Sequence, residues 1–375
     1  MPTFKPEKPN LPGTTFFEKS VRYSSLLLHF ILWLLVGASV LYPRIMHLGG
    51  YPATDEGVYA YYSQIIYNSL SSGNGLPNYG TLALYPALLS WVFQFDFNYL
   101  FSLRIIDMLM ATISGYLLFY ISYKESKNIY VAALLATVYL FAANQPIFVQ
   151  HGFKNSFSAA IIPALVAIIV GQNSQWQHPI KWYFCGALLS VSILLRETFV
   201  PFAMLGFISI FFSYGLKNAL RYSFGGIIAG TAILFSIVKL RGPGGFESLI
   251  HSYQDAYILY ESLSSKRIDL FLQNGATSIK EAAWAVITSI LLIITFPFLF
   301  LKQVPSSFSR ILFWFAAATI PLLEPLIKIG FPYHFSLSLI GLCGLSSVIS
   351  RELLATFKSI FFAIFLAIFL VGAYL

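Results

Sequence analysis

Apolar runs of 15 to 23 residues, separated by short polar turns, make up most of this chain. They fall at 24–43, 99–121, 129–146, 155–171, 181–195, 198–214, 219–238, 283–301, 308–327, 333–350 and 356–375. A bilayer core of about 30 Å is crossed by about 20 helical residues. The pattern therefore predicts an all-α, polytopic transmembrane bundle of about eleven spans. A further apolar stretch, 81–96, contains Pro86 and is too short for a full span. It is expected as a re-entrant or interfacial helix.

Two polar intervals are long, 44–98 and 239–282. In the first, Val58, Tyr61, Tyr62, Ile65 and Ile66 recur at spacings of three and four, with Ser63, Gln64 and Asn68 on the other side. This is the pattern of an amphipathic helix lying in the membrane interface, capped by Thr54 or Asp55. Gly73, Gly75 and Pro77 then break it. In the second interval, Phe246, Leu249, Ile250, Tyr253, Tyr257 and Tyr260 form a similar stripe after the turn Gly242-Pro243-Gly244-Gly245. Interfacial helices are thus expected in the first and fourth outer loops. Residues 1–23 read as a flexible cytoplasmic tail ahead of a membrane domain over 24–375.

Composition narrows the class. The 375 residues are 57% hydrophobic and 10% charged, where a soluble domain carries about 25% charged residues. A 17% aromatic content excludes a disordered chain. The bases are scattered rather than gathered into a patch, which argues against nucleic acid as a partner. Cys185 and Cys343 sit inside apolar runs and read as small buried hydrophobes. The first apolar run is long for a signal peptide and lacks a small-residue cleavage site, so it is expected as a span.

Basic residues set the expected orientation. With the N-terminus in the cytoplasm, that side carries thirteen Lys and Arg against four acids, Glu7, Glu18, Glu125 and Glu352. The other side and the spans hold ten bases and eleven acids. Counting 81–96 as a span would invert the later loops and erase this bias. The long loops then face outward, and function is expected there.

Asp55 and Glu56 open the predicted helix of the first outer loop. Asp55 can be a plain helix cap. It can equally be an ionised carboxylate beside the membrane, able to take a proton from an acceptor hydroxyl or amine. Arg104 and Asp107 stand three apart on one span, as an intrahelical pair does. Arg196 and Glu197 lie at the outer end of another span, and Arg suits bidentate phosphate binding. His151 and Lys154 share a short outer loop, Lys328, Tyr333 and His334 another, and Lys266 and Arg267 the large one. Glu324 is placed to pair with Lys328. No metal-ligand motif, nucleophile elbow or dinucleotide fingerprint is present.

In order along the chain, these features resemble the GT-C glycosyltransferases. They are most similar to the family of protein O-mannosyltransferases and lipid A aminoarabinose transferases. The resemblance runs over 24–375. It rests on the Asp55-Glu56 pair, Leu84-Tyr85-Pro86 with Leu88-Leu89, Ser102-Leu103-Arg104, Leu195-Arg196-Glu197 and Phe331-Pro332-Tyr333-His334. It implies transfer of a sugar from a polyprenyl-phosphate donor to a lipid, glycan or protein acceptor. The catalytic carboxylate maps onto Asp55, with Glu56 beside it. Arg196, Lys154, His334, Arg104 and Tyr333 are the expected substrate- and phosphate-binding residues. The second acid of many members is missing, since the next outer loop reads Gln150-His151-Gly152-Phe153-Lys154-Asn155. No metal and no cofactor are expected. Acceptor recognition falls to the two outer loops or to a partner subunit, and a bacterial inner membrane is the expected location.

Two other readings use the same residues. A transporter or flippase for a lipid-linked sugar would use the outer cations without needing a base. A non-catalytic membrane subunit would need none of the loop carboxylates.

Overall fold

A computed structural model describes residues 16–46, 54–76, 84–92, 99–143, 154–251, 254, 267–299, 308–322 and 336–356. Among these residues the ordered elements are helical and no strand occurs. In chain order the helices are α1 (Phe16–Ile45), α2 (Thr54–Ser71), α3 (Leu84–Ser90), α4 (Tyr99–Ser126) and α5 (Ile129–Ala143). Next come α6 (Lys154–Gln172), α7 (Ile180–Leu195), α8 (Val200–Tyr214) and α9 (Leu216–Arg241). The last are α10 (Arg267–Glu281), α11 (Ala283–Leu299), α12 (Phe308–Thr319) and α13 (Ser336–Thr356).

Four helices are long and apolar enough to cross a membrane, over Leu27–Ile45, Phe101–Ser126, Leu216–Arg241 and Leu337–Ala355. The α10–α11 pair, bent by 90°, makes a fifth if taken as one span. Five more are apolar but shorter: Ile129–Ala143, Ala159–Gln172, Ile180–Leu195, Val200–Tyr214 and Phe308–Leu322. The 16-residue α7 is about 24 Å long, less than a full hydrocarbon core. Nine of the expected runs thus divide into two length classes, a tenth falls in the bent pair, and the run at 356–375 lies almost wholly outside the described residues. α1 begins at Phe16, inside the stretch expected as a tail.

Small residues set the closest crossings. A Cβ on Gly186 of α7 would overlap the Tyr222 carbonyl of α9, and one on Gly225 would overlap the Tyr183 carbonyl. The α12–α13 contact repeats the device, with Gly341 on the Ala317–Ala318 backbone and Gly344 under the Trp314 ring. Without a hydrophobic force between helices in lipid, such close packing does much of the work of association. Hydroxyls add to it. The buried Tyr139 hydroxyl of α5 lies 2.6 Å from Ser289 of α11 and 2.7 Å from Ser346 of α13. Ser122 of α4 lies 2.6 Å from Ser347 of α13. Cys185 and Cys343 are buried free thiols, as their apolar context predicts.

The bundle has two ends. At the first, α1, α5, α7 and α9 finish while α4, α6 and α8 begin. At the second, the end of α4 meets the end of α6 and the start of α12 through Glu125, Gln172 and Arg310.

Within the stretch 81–96 the described residues hold the seven-residue α3, with Pro86 in its first turn, where a missing N–H costs little. Only part of the stripe on α2 faces inward: Tyr61 is exposed, and Ser63, expected on the polar side, is buried. Ile66 is fully buried with Leu76 and with Ile237 of α9, and Tyr62, Ile65 and Leu84 pack around them. Gly75 (φ 77°) brings the following backbone onto α9, where the Leu76 N–H donates to the Leu240 carbonyl at 2.7 Å. In the second long loop, 245–251 is helical and most of the expected stripe beyond it lies outside the described residues. The sequence reading did not include α10. It leaves Ile268, Leu272 and Ile279 exposed on one side, with Ser278 buried on another.

Candidate functional site at the α2–α3 end

α1 closes with Pro43 and Arg44. The Arg44 guanidinium turns into the bundle and pairs with the Asp107 carboxylate, two turns inside α4. Both side chains are buried. Burying two charges costs several kcal/mol each, so this pair persists only while each partner compensates the other. Asp107 Oδ1 has no hydrogen-bond partner among the described residues. Asp107 therefore serves Arg44 across 63 residues of sequence rather than Arg104 on its own helix, which corrects the expected intrahelical pair.

Tyr85 of α3 lies close enough to Arg44 to interact with it electrostatically. α3 is held by its own buried face. Tyr85 and Leu89 pack with Leu103 of α4 and Ala159 of α6, and Ile106, Met110 and Leu195 close around them. The residue after Leu195 is Arg196. It leaves α7 in an extended conformation, and its N–H donates to the Ser192 carbonyl at 2.8 Å. Arg196 is buried, and a short 3-10 turn, Glu197–Phe199, follows before α8 starts. Thr198 in that turn is also buried, and its hydroxyl has no partner among the described residues.

Asp55 and Glu56 occupy the first turn of α2, directly after Thr54, so the predicted helix start is present. Lys154 is the first residue of α6. The side chains of Asp55, Glu56, Lys154 and Glu197 lie outside the described set, as do Tyr333, His334, Glu324, Lys328 and His151 altogether. Arg104 is half-buried near the start of α4. Among the expected residues the bundle thus gathers Arg104, Arg196 and the α3 motif at one end.

Arg44 was not among the predicted site residues. Its signal was present, since Pro43-Arg44 ends one apolar run and an Asp lies inside the next. Among the described residues no group of three or more His, Cys, Asp or Glu could hold a metal ion.

No protein-family model, curated protein or solved structure matches this chain.

Proposed function

We propose that this chain is an integral-membrane glycosyltransferase of the GT-C class, with its remaining apolar runs completing about eleven spans. Its N-terminus is cytoplasmic and the α2–α3 end faces outward from a bacterial inner membrane. The donor is a sugar on polyprenyl phosphate, and the acceptor is a lipid, glycan or protein. The observation that carries this reading is the company kept by α2. The helix that opens with Asp55 and Glu56 is anchored through Ile66 to α9 and to the short α3, and α3 sits beside Arg44–Asp107 and Leu195-Arg196. A carboxylate-bearing helix start and buried cations at one end of an apolar bundle suit chemistry that makes an anionic leaving group.

In the proposed reaction the acceptor O–H or N–H gives its proton to Asp55. The freed electron pair forms a bond to the anomeric carbon. The bond from that carbon to the phosphate oxygen breaks, and its electrons leave with polyprenyl phosphate. Attack from the face opposite the leaving group inverts the anomeric centre. Arg196, with Lys154 and His334, offsets the charge gathering on the phosphate, while Arg104 and Tyr333 line the donor site. Glu56 orients Asp55 or stands in for it. A positioned general base is worth about 10²- to 10⁴-fold in rate.

The test compares cells lacking this gene after complementation with wild type or Asp55→Asn at matched membrane levels. Intact masses of surface glycans, lipids and exported proteins are then measured. A sugar-sized increment restored by wild type alone supports the transferase. Equal restoration by the variant removes Asp55 as base and favours a transporter or a non-catalytic subunit.

A further inference from the structure

At the second end of the bundle, far from α3, a cavity of about 280 Å³ lies between α6, α7, α8 and α12. Ser213 and Tyr214 at the end of α8, with Ser309 and Arg310 at the start of α12, form its mouth. All four are exposed. Along α7 the wall runs from Trp182 to Leu189, two turns or about 10 Å deeper. Ile168, Phe202 and Phe313 give apolar stretches to the lining, beside the polar Ser209 and Tyr222. The space holds about nine water- or methylene-sized groups. A slot this deep, with apolar stretches along its walls, can take a stretch of hydrocarbon.

The charges at the mouth have a definite balance. Glu125 forms one side of the cavity and is 1% exposed. Its carboxylate accepts from Gln172 Nε2 at 2.8 Å, Trp314 Nε1 at 3.1 Å and Arg310 Nη1 at 3.3 Å. Three donors occupy it, and Arg310, half exposed, keeps its other N–H groups at the mouth. Behind the mouth is Lys181, also buried. Its Nζ lies 4.4 Å from the Trp182 ring centre and 5.6 Å from that of Tyr214. It donates to the Asn173 carbonyl at 3.1 Å. It forms no ion pair with a carboxylate among the described residues. Lys217 and Arg221 follow directly on α9. The first-turn N–H groups of α12 add partial positive charge at the same place. The mouth is therefore suited to an anion and the slot to a chain.

We propose that this cavity binds an anionic membrane lipid. One hydrocarbon chain fills the slot, and the phosphate of the head sits at Arg310, Ser309 and Ser213. Lys181 holds the Trp182 and Tyr214 rings in place and adds its charge from behind. Such a lipid belongs to the leaflet at the second end, opposite the α2–α3 site. It is distinct from the sugar donor of the proposed reaction.

The test uses the purified full chain in detergent micelles. It is titrated with dioleoyl phosphatidylglycerol, dioleoyl phosphatidylcholine or inorganic phosphate, and bound molecules are counted by native mass spectrometry. Wild type should hold one phosphatidylglycerol about tenfold more tightly than phosphatidylcholine. Ser209→Phe, which fills the slot from α8, should weaken that binding by about tenfold. Arg310→Gln keeps a donor for Glu125 but loses the charge, and should bind both lipids alike. Thermal melting checks each fold, and Ile168→Phe on the facing wall repeats the test if Ser209→Phe melts early. Equal phosphatidylglycerol binding by wild type and both slot-filling variants would overturn the proposal. So would a wild type without lipid preference, or inorganic phosphate binding as tightly as the lipid. Asp55→Asn should leave lipid binding unchanged, so the two proposals fail separately.

Discussion

Arg44 and Asp107 are two charges that the sequence spaces 63 residues apart and the fold makes interdependent. Truncating either one leaves the other buried and uncompensated, a loss of about 3–5 kcal/mol. Arg44→Met or Asp107→Leu alone should therefore lower the melting temperature in detergent sharply. The double variant should recover most of the loss, and a double variant as unstable as either single one would show that the pair is not the cause. Trp314→Phe is the matching test at Glu125. It removes one of three donors to a buried carboxylate, worth about 1.5–3 kcal/mol, with little change in shape. At this scale the sequence was legible where burial follows from local context, as for Cys185 and Cys343. It misled where a local pairing was available, because Arg104 three residues from Asp107 is visible on one helix while Arg44 is not. Glu125 reads as one acid in a basic loop, and only the closing of α6 and α12 over it shows that it is buried.

At the scale of elements, helix starts and stops follow the apolar runs closely where glycine or proline ends them. The run at 219–238 becomes α9, Leu216–Arg241, between Gly215 and Gly242. α2 was legible as a helix from its spacing, but its surroundings were not. An apolar stripe looks the same whether it meets lipid or α9, and Ile66 and Ile237 decide the matter only in three dimensions. α10 was missed because Arg267, Asp269, Lys280 and Glu281 make its window polar on average, although Ile268, Leu272 and Ile279 share one side. Two expectations belong here. Ile66→Asp should detach α2 and expose it to limited proteolysis, while the melting of the remaining bundle changes little. If the proposed function holds, activity should fall with the same variant. Gly186→Leu should act in the opposite way, forcing α7 and α9 apart at the Tyr222 carbonyl and preventing recovery of folded protein in detergent, whereas Ser190→Ala nearby should not.

At the scale of the molecule, α6 connects the two ends. Its first turns pack Ala159 against Tyr85 and Leu103, and its last residue, Gln172, donates to Glu125. The class of fold was legible from the apolar runs and the scarcity of charge. The two ends, and which residues meet at each, were not, since they depend on contacts between runs far apart in the chain.

The helix lengths reach beyond the protein itself. α5 and α8 have 15 residues each and α7 has 16, while α4 has 28 and α9 has 26. Met204, Ile208 and Phe212 of α8 are exposed. A lipid shell against that side meets an apolar wall of about 22 Å, and against α9, whose apolar stretch lies between Arg221 and Lys239, one of about 26 Å. A bilayer accommodates such short walls by thinning around them. The protein should therefore thin its membrane locally and prefer a thin one. Reconstituted across lipids of increasing acyl length, it should melt highest in the shorter-chain bilayers, and a maximum in the longest would contradict this.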